Sequence, residues 1–181
     1  MTEYGSQAGH SVEGAGTPPP RIRTLVLGVG NRLLTDEGTG VHVVEFLARE
    51  HPGHEDITYL DGGTLSFTLA GPIEDHDALV VVDAAQLMAA PGTIEVFVGE
   101  DMDRFLGRKK LSVHEVSLVD LMDIARLTDH LPAHRALVGI QPAAMGWGND
   151  PTPVVAKAVP EAAARILEII RGWQAEARAS L

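Results

Sequence analysis

Glu37, Asp61 and His114 are the side chains of this sequence whose types and settings point to chemistry. Glu37 follows the apolar run and glycines of "TLVLGVGN", Asp61 closes the short strand-like run in "DITYLDGG", and His114 lies near the start of "LSVHEVSLVDLMDIARL". Two carboxylates and one imidazole form an O,O,N donor set that suits a borderline divalent ion such as nickel or zinc, with positions left open for other ligands. An imidazole in the first turn of a helix is biased toward its neutral, ligating form, because the positive end of the helix dipole opposes protonation. Asp36, beside Glu37, is a further carboxylate that could take part in acid–base work. Each residue also has a plainer reading. Asp36 and Glu37 could complement the dipole of the helix they begin, "DGGT" is ordinary turn chemistry, and His114 could be a surface residue in a cap. Gly38 and Gly40 weigh against the first of these. Glycine costs about 1 kcal/mol relative to alanine inside a helix, so two in the opening turns imply that another backbone comes close.

The elements that must position these residues alternate. Ile22 to Gly30 reads as a buried strand, and Glu37 to Glu50 as a helix in which Val41, Val44, Leu47 and Ala48 recur at helical spacing. "DITYLDGG" is a second strand, "SFTLAGPI" a short helix, and "DALVVVDAA" a third strand apolar enough to be covered on both faces. "PGTIEVFVGE" reads as an edge or antiparallel strand, since no useful helix separates it from the third. Ser112 and Glu115 have capping-box spacing and would put His114 in the first turn of a helix carrying Leu118, Leu121, Met122 and Ala125 on one face. "HRALVGIQP" is a fifth strand, and a long helix follows from Pro153, with a kink expected at Pro160. The fold class is therefore α/β: a single domain with a twisted, mostly parallel five-stranded sheet and helices on both faces. In such sheets ligands bind beyond the carboxyl ends of the strands, where Glu37, Asp61 and His114 are all expected. Residues 1–20, rich in Gly, Ser and Pro, read as a flexible arm, 21–175 as the domain and 176–181 as a tail.

Composition removes several classes of function. Fourteen basic against twenty-five acidic residues give a formal net charge of −11, which argues against nucleic acid or an anionic membrane as partner. The absence of cysteine excludes thiolate metal sites and a cysteine nucleophile. No G-x-S-x-G elbow is present, and "HEVSL" lacks the second histidine of a zincin. Gly28-Val29-Gly30-Asn31-Arg32-Leu33 begins like a dinucleotide fingerprint but has Leu33 where the third glycine belongs. His42, His51, His54, His76, His130 and His134 show no ligand spacing and read as surface residues. With no signal-like segment and no span of membrane length, a cytoplasmic monomer is the simplest expectation.

"GVGNRLLTDEGTGVHVVE", "LDGGT", "SVHEVSLVDLM" and "LVGIQP", with a terminal helix after "DPTP", together resemble the nickel–iron hydrogenase maturation endopeptidases over about residues 22–173. The resemblance implies a twisted five-stranded sheet between helices, and places Glu37, Asp61 and His114 at that family's three nickel-contacting positions. It implies an aspartic-type endopeptidase that removes the C-terminal extension of the nickel-loaded hydrogenase large-subunit precursor. The nickel then arrives with the substrate, and no tightly held cofactor is expected. Glu37, Asp61 and Asp36 are the carboxylates available for the hydrolysis, and Gly38, Gly40, Gly62 and Gly63 would let the substrate peptide approach. The "QPAAMGWGNDPTP" loop looks less standard than the core motifs, and such loops commonly govern partner choice. A second reading is a non-catalytic nickel-sensing chaperone of the large subunit that uses the same three residues.

Overall fold

A computed structural model of the chain describes residues 21–52, 55–107 and 116–180. Five strands form one sheet: β1 (Thr24–Val29), β2 (Ile57–Gly63), β3 (Ala78–Ala84), β4 (Ile94–Val98) and β5 (His134–Ile140), in the order β2-β1-β3-β5-β4. β1 pairs in parallel with β2 and β3, and β3 with β5, while β4 runs antiparallel to β5. The mixed, mostly parallel sheet follows from connection length. β4 lies two places from β3, and the segment between them is too short for the crossover that would bring β4 back parallel to it, so β4 runs opposite to β3 and β5.

Five helices cover the sheet: α1 (Thr39–Glu50), α2 (Ala70–Glu74), α3 (Glu100–Gly107), α4 (Leu118–Leu127) and α5 (Pro153–Ala179). Alternation along the strands sorts two apolar layers. Val26, Val80, Val82 and Val138 pack with Val43, Val44 and Leu47 of α1 and with Val155, Ala162, Ile166 and Trp173 of α5. Leu25, Leu27, Leu79, Val81 and Leu137 point the other way, toward Ile73 of α2, Met102 of α3, and Leu121 and Met122 of α4. β1 and β3 lie inside the sheet and bury residues on both faces, as their unbroken apolar runs require. Among the described residues no helix is long and apolar enough to cross a membrane.

Three features depart from the sequence expectations. First, α3 has no expected counterpart. Its eight residues hold few apolar side chains, and its stability comes from contacts that periodicity does not reveal: Met102 and Leu106 are buried, Phe105 stacks on Phe97 at 4.2 Å between ring centroids, and Arg135 grips the Asp103 carboxylate with two bonds of 3.0 and 2.6 Å. Second, α4 starts at Leu118, with Ser117 as its cap. Asp120 N–H donates to Ser117 Oγ at 3.2 Å and Ser117 N–H returns to Asp120 Oδ2 at 2.8 Å, so the capping box is built five residues later than expected, with Asp in the acidic position. The helix turn expected at His114 is therefore not the first turn of α4, and Ser112, His114 and Glu115 lie outside the described residues. Third, α5 continues to Ala179 with Pro160 inside it, so the tail expected from 176 is helical almost to its end, with Ala177 packed against the core.

The glycines of the first crossover serve the chain's own packing. A Cβ on Gly40 would lie 2.1 Å from the Val82 carbonyl oxygen and 2.3 Å from that of Val29, so α1 enters directly over β1 and β3. At Gly38 the obstacle is the Arg32 backbone at 2.8 Å, and at Gly62 the Leu27 side chain at 2.8 Å. Of the four glycines expected to admit a substrate peptide, only Gly63 faces open space. The close backbone inferred from Gly38 and Gly40 is the protein's own.

Replacement of Gly40 by Ala is expected to force α1 away from the sheet and cost about 3 kcal/mol or more, in the upper range for overpacking. Thermal unfolding followed by circular dichroism should show a Tm lower by about 6–12 °C for a chain of this size; an unchanged Tm would disprove the close seating of α1.

Candidate active site

The carboxyl ends of β1 and β2 create the setting for Glu37 and Asp61. Gly28 of β1 stands opposite Asp61 of β2, but the next partner of Val29 is Gly63, so β2 carries an irregularity at Gly62 immediately after the aspartate. Such a bulge bends a strand and re-aims the side chains beside it. Gly63 takes a left-handed φ of 51°, its N–H donates to Asp61 Oδ1 at 2.8 Å, and its carbonyl accepts from Gly30 N–H at 2.8 Å. Asp61 is thereby fixed through one oxygen and remains exposed.

β1 ends in a tight return. A Cβ on Gly30, at φ 137°, would lie 1.8 Å from the Glu37 carbonyl oxygen, so the residue must be glycine for the turn to fold back on the strand. A 3-10 turn over Thr35–Gly38 then leads into α1. Thr35 has a positive φ of 44°, which is costly for a β-branched residue, and it is held by partners in the distant loop 141–152. Its N–H donates to Gly148 O at 2.8 Å, its hydroxyl donates to Ala144 O at 2.8 Å, and Gly146 N–H donates to that hydroxyl at 3.2 Å.

Asp36 and Glu37 are sequence neighbours in opposite circumstances. Asp36 has no exposed surface. Its carboxylate accepts from Ala143 N–H at 2.8 Å, Ala144 N–H at 2.9 Å, Thr152 N–H at 2.6 Å and the Thr152 hydroxyl at 3.0 Å. Burial opposes ionisation of this group, but the three backbone donors and the Thr152 hydroxyl outweigh it and hold the carboxyl below its ordinary 3.8. Thr152 is also the N-cap residue of α5, so the carboxylate sits at that helix's positive end. Glu37 is half-buried, and its carboxylate has no hydrogen bond or ion pair among the described residues. Asp83, half-buried near the end of β3, stands opposite Gly139 at the same edge of the sheet.

The structure thus brings Glu37 and Asp61 to the carboxyl ends of adjacent strands, puts Asp36 in the interior and does not describe His114. Among the described residues no three His, Asp or Glu side chains form a metal-binding group. The remaining histidines are less uniform than expected. His130 is exposed, but His42, His51, His76 and His134 are half-buried: His76 bonds Pro72 O at 2.7 Å and Thr58 Oγ1 at 2.9 Å, and His134 packs on Trp173. His54 lies outside the described residues.

Sequence reasoning missed Gln141. This buried side chain accepts from Leu87 N–H at 2.8 Å and donates to Gln86 Oε1 at 3.3 Å, while its backbone exchanges bonds with Gly92 and Thr93. It clamps the β3–β4 loop to the end of β5, as Asp36 clamps the β5–α5 loop to the first turn. A polar residue directly after the apolar run Ala136–Ile140 was the available signal.

Glu37 and Asp61 thus stand at the carboxyl edge of a mixed α/β sheet. The family model for hydrogenase maturation proteases matches residues 41–169. The hydrogenase expression/formation protein HupD of Rhizobium leguminosarum bv. viciae is 36% identical over 157 residues, covering 86% of this chain and 78% of the relative. The hydrogenase 2 maturation protease of Escherichia coli (strain K12) is 35% identical over 157 residues, 86% of this chain and 95% of the relative. The hydrogenase maturating endopeptidase HybD from E. coli superposes with a TM-score of 0.77 at 34% identity, covering 83% of this chain and 93% of that structure. The chain belongs to the hydrogenase maturation protease family and is an endopeptidase that processes the C-terminus of the hydrogenase large subunit. This sets aside the non-catalytic chaperone reading.

Replacing Asp36 by Ala leaves three backbone donors facing a void and is expected to cost about 2–4 kcal/mol. The sign with pH is definite. A carboxyl with a lowered folded value stabilises fully above its unfolded value and loses that contribution as pH falls through the folded one. Urea unfolding should therefore show the wild type losing more stability than Asp36→Asn between about pH 4 and pH 2; parallel profiles would contradict the ionised, bonded carboxylate.

Proposed function

We propose that Glu37, Asp61 and His114 engage the nickel ion carried by the large-subunit precursor and use it to place the scissile peptide beside their carboxylates. The observation that carries this reading is the contrast between neighbours. Asp36 has its carboxylate fully engaged inside the protein, whereas those of Glu37 and Asp61 stand at one sheet edge with their coordinating capacity free or nearly so. A carboxylate without a cation beside it suits a site whose cation arrives with the substrate. Two carboxylate oxygens and an imidazole nitrogen match the preferences of nickel, and the remaining positions fall to ligands from the precursor.

On this reading Asp36 is a positioning residue, because its four donors leave it no route to a substrate proton. Glu37 and Asp61 are the carboxylates left for the chemical step. Water adds to the scissile carbonyl carbon, a carboxylate takes the water proton, and the C–N bond breaks as the leaving nitrogen is protonated. The substrate's nickel orients the peptide and polarises the reacting oxygen. The precursor of a nickel–iron hydrogenase is accordingly the substrate, and its metal-free form lacks the recognition element.

The test is cleavage of nickel-loaded and nickel-free precursor, read as intact mass. The loaded form alone should lose a C-terminal peptide. Glu37→Gln, Asp61→Asn and His114→Ala should each reduce cleavage by about 100-fold or more while keeping the wild-type Tm within a few degrees. Full cleavage by all three variants would overturn the residue assignment, and equal cleavage of both precursor forms would overturn the role of the metal.

A further inference from the structure

The loop 141–152 carries an apolar surface that the proposed chemistry does not use. Trp147 is 85% exposed, Met145 49%, and Leu33 of the first turn 54%. These residues are held close by backbone structure. Leu34 and Gly148 form a parallel bridge, Gly148 N–H donates to Leu33 O at 3.0 Å, and Thr35 N–H donates to Gly148 O at 2.8 Å. One step back on each side of that bridge stand Leu33 and Trp147, side by side. The loop is fixed at Ala143, Ala144 and Thr152 by the Asp36 carboxylate, and at Ala144 and Gly146 by Thr35. A large aromatic side chain is thus presented to solvent from anchored backbone.

Exposed tryptophan on ordered backbone is the usual form of an interface anchor, since little conformational entropy remains to be lost when a partner covers it. Residues 141–153 contain no lysine or arginine and one acid, Asp150, so the recognition they offer is apolar. The patch is continuous with the turn that bears Glu37. A protein that delivers a peptide to Glu37 therefore arrives beside Leu33 and Trp147.

We propose that Trp147, with Leu33 and Met145, is the docking anchor for the folded body of the large-subunit precursor, seating an apolar surface of that protein while its C-terminal segment reaches Glu37 and Asp61. This rests on the function proposed above, and the following experiment separates the two. Steady-state cleavage of nickel-loaded precursor is compared for the wild type, Trp147→Ala, Trp147→Phe and Leu33→Ser. Trp147→Ala should raise KM on the order of 30-fold with kcat within about twofold, Leu33→Ser should raise it less, and Trp147→Phe should restore most of the loss. A misfolded loop would instead lower kcat, because the loop is bonded to the catalytic turn. The chain has two tryptophans, and Trp173 is buried in the core. In 5-fluorotryptophan-labelled protein, the ¹⁹F resonance of Trp147 should therefore shift on addition of unlabelled precursor while that of Trp173 stays in place. An unchanged KM, or an unmoved Trp147 resonance with precursor that the wild type cleaves, overturns the docking site and leaves the proposed function standing. A Trp147 resonance that moves with protein concentration alone, together with a dimer in sedimentation that Trp147→Ala abolishes, assigns the patch to a second copy and also overturns the proposal. If the wild type neither binds nor cleaves the loaded precursor, the proposed function fails and the docking site with it.

Discussion

The carboxylate of Asp36 is the constraint on which the active-site edge depends. β1 and β5 flank β3 in the sheet, so the turn after β1 and the loop after β5 meet across the end of β3. Their backbone groups leave regular structure there and need partners, because a buried unpaired donor costs as much as a lost hydrogen bond. One buried carboxylate satisfies Ala143, Ala144 and Thr152 together. An asparagine of the same size offers a single acceptor oxygen, and a glutamate adds a methylene where none fits. The positive φ of Thr35 persists because the same loop over-determines it: Thr35 donates to the carbonyls of Ala144 and Gly148 and accepts from Gly146 N–H.

This arrangement divides labour between neighbouring acids. The tight return at Gly30 and the close seating of α1 at Gly40 constrain the turn, in which Asp36 is buried and its neighbour Glu37 is left half-buried with its carboxylate unengaged among the described residues. On the adjacent strand the irregularity after Asp61 holds the aspartate, with Gly63 N–H donating to its carboxylate and Gly63 O accepting from Gly30 N–H. Hydrogen bonds link Asp61 through Gly63 to Gly30, and the Glu37 backbone packs closely against Gly30. A metal held between them would meet a stiff frame, which is the condition for orienting a peptide with useful precision.

The architecture was legible in the sequence wherever burial imposed a pattern. The apolar runs of β1 and β3 and the spacing of Val155, Ala162, Ile166 and Trp173 in α5 follow from the two layers they fill. The antiparallel setting of β4 followed from loop length. What stayed hidden depends on contacts between distant residues. α3 is held by Phe97 and Arg135, and the α4 cap falls to Ser117 and Asp120 although Ser112 and Glu115 have the same spacing. In the active-site region, the carboxylates and their sheet edge could be read from residue type and strand position. The different fates of Asp36 and Glu37 could not, because the donors that claim Asp36 lie more than one hundred positions away. The glycines show the same limit: their sequence implies a close backbone without saying whose it is.

An edge with two available carboxylates and a separately anchored apolar loop favours recognition at two points. Carboxylates in water bind a divalent ion only weakly unless several ligands converge, so Glu37 and Asp61 alone would discriminate poorly between metals. An apolar patch alone would accept loaded and unloaded precursor equally. On the function proposed above, joining them on one turn would let each raise the effective concentration of the other's ligand, so that the combined affinity exceeds what either contact supplies. The bonds from Thr35 and Asp36 to loop 141–152 supply that rigidity, because they hold the tryptophan and the glutamate at a fixed separation. The same carboxylate that shapes the turn bearing Glu37 thereby fixes where the exposed tryptophan stands relative to it.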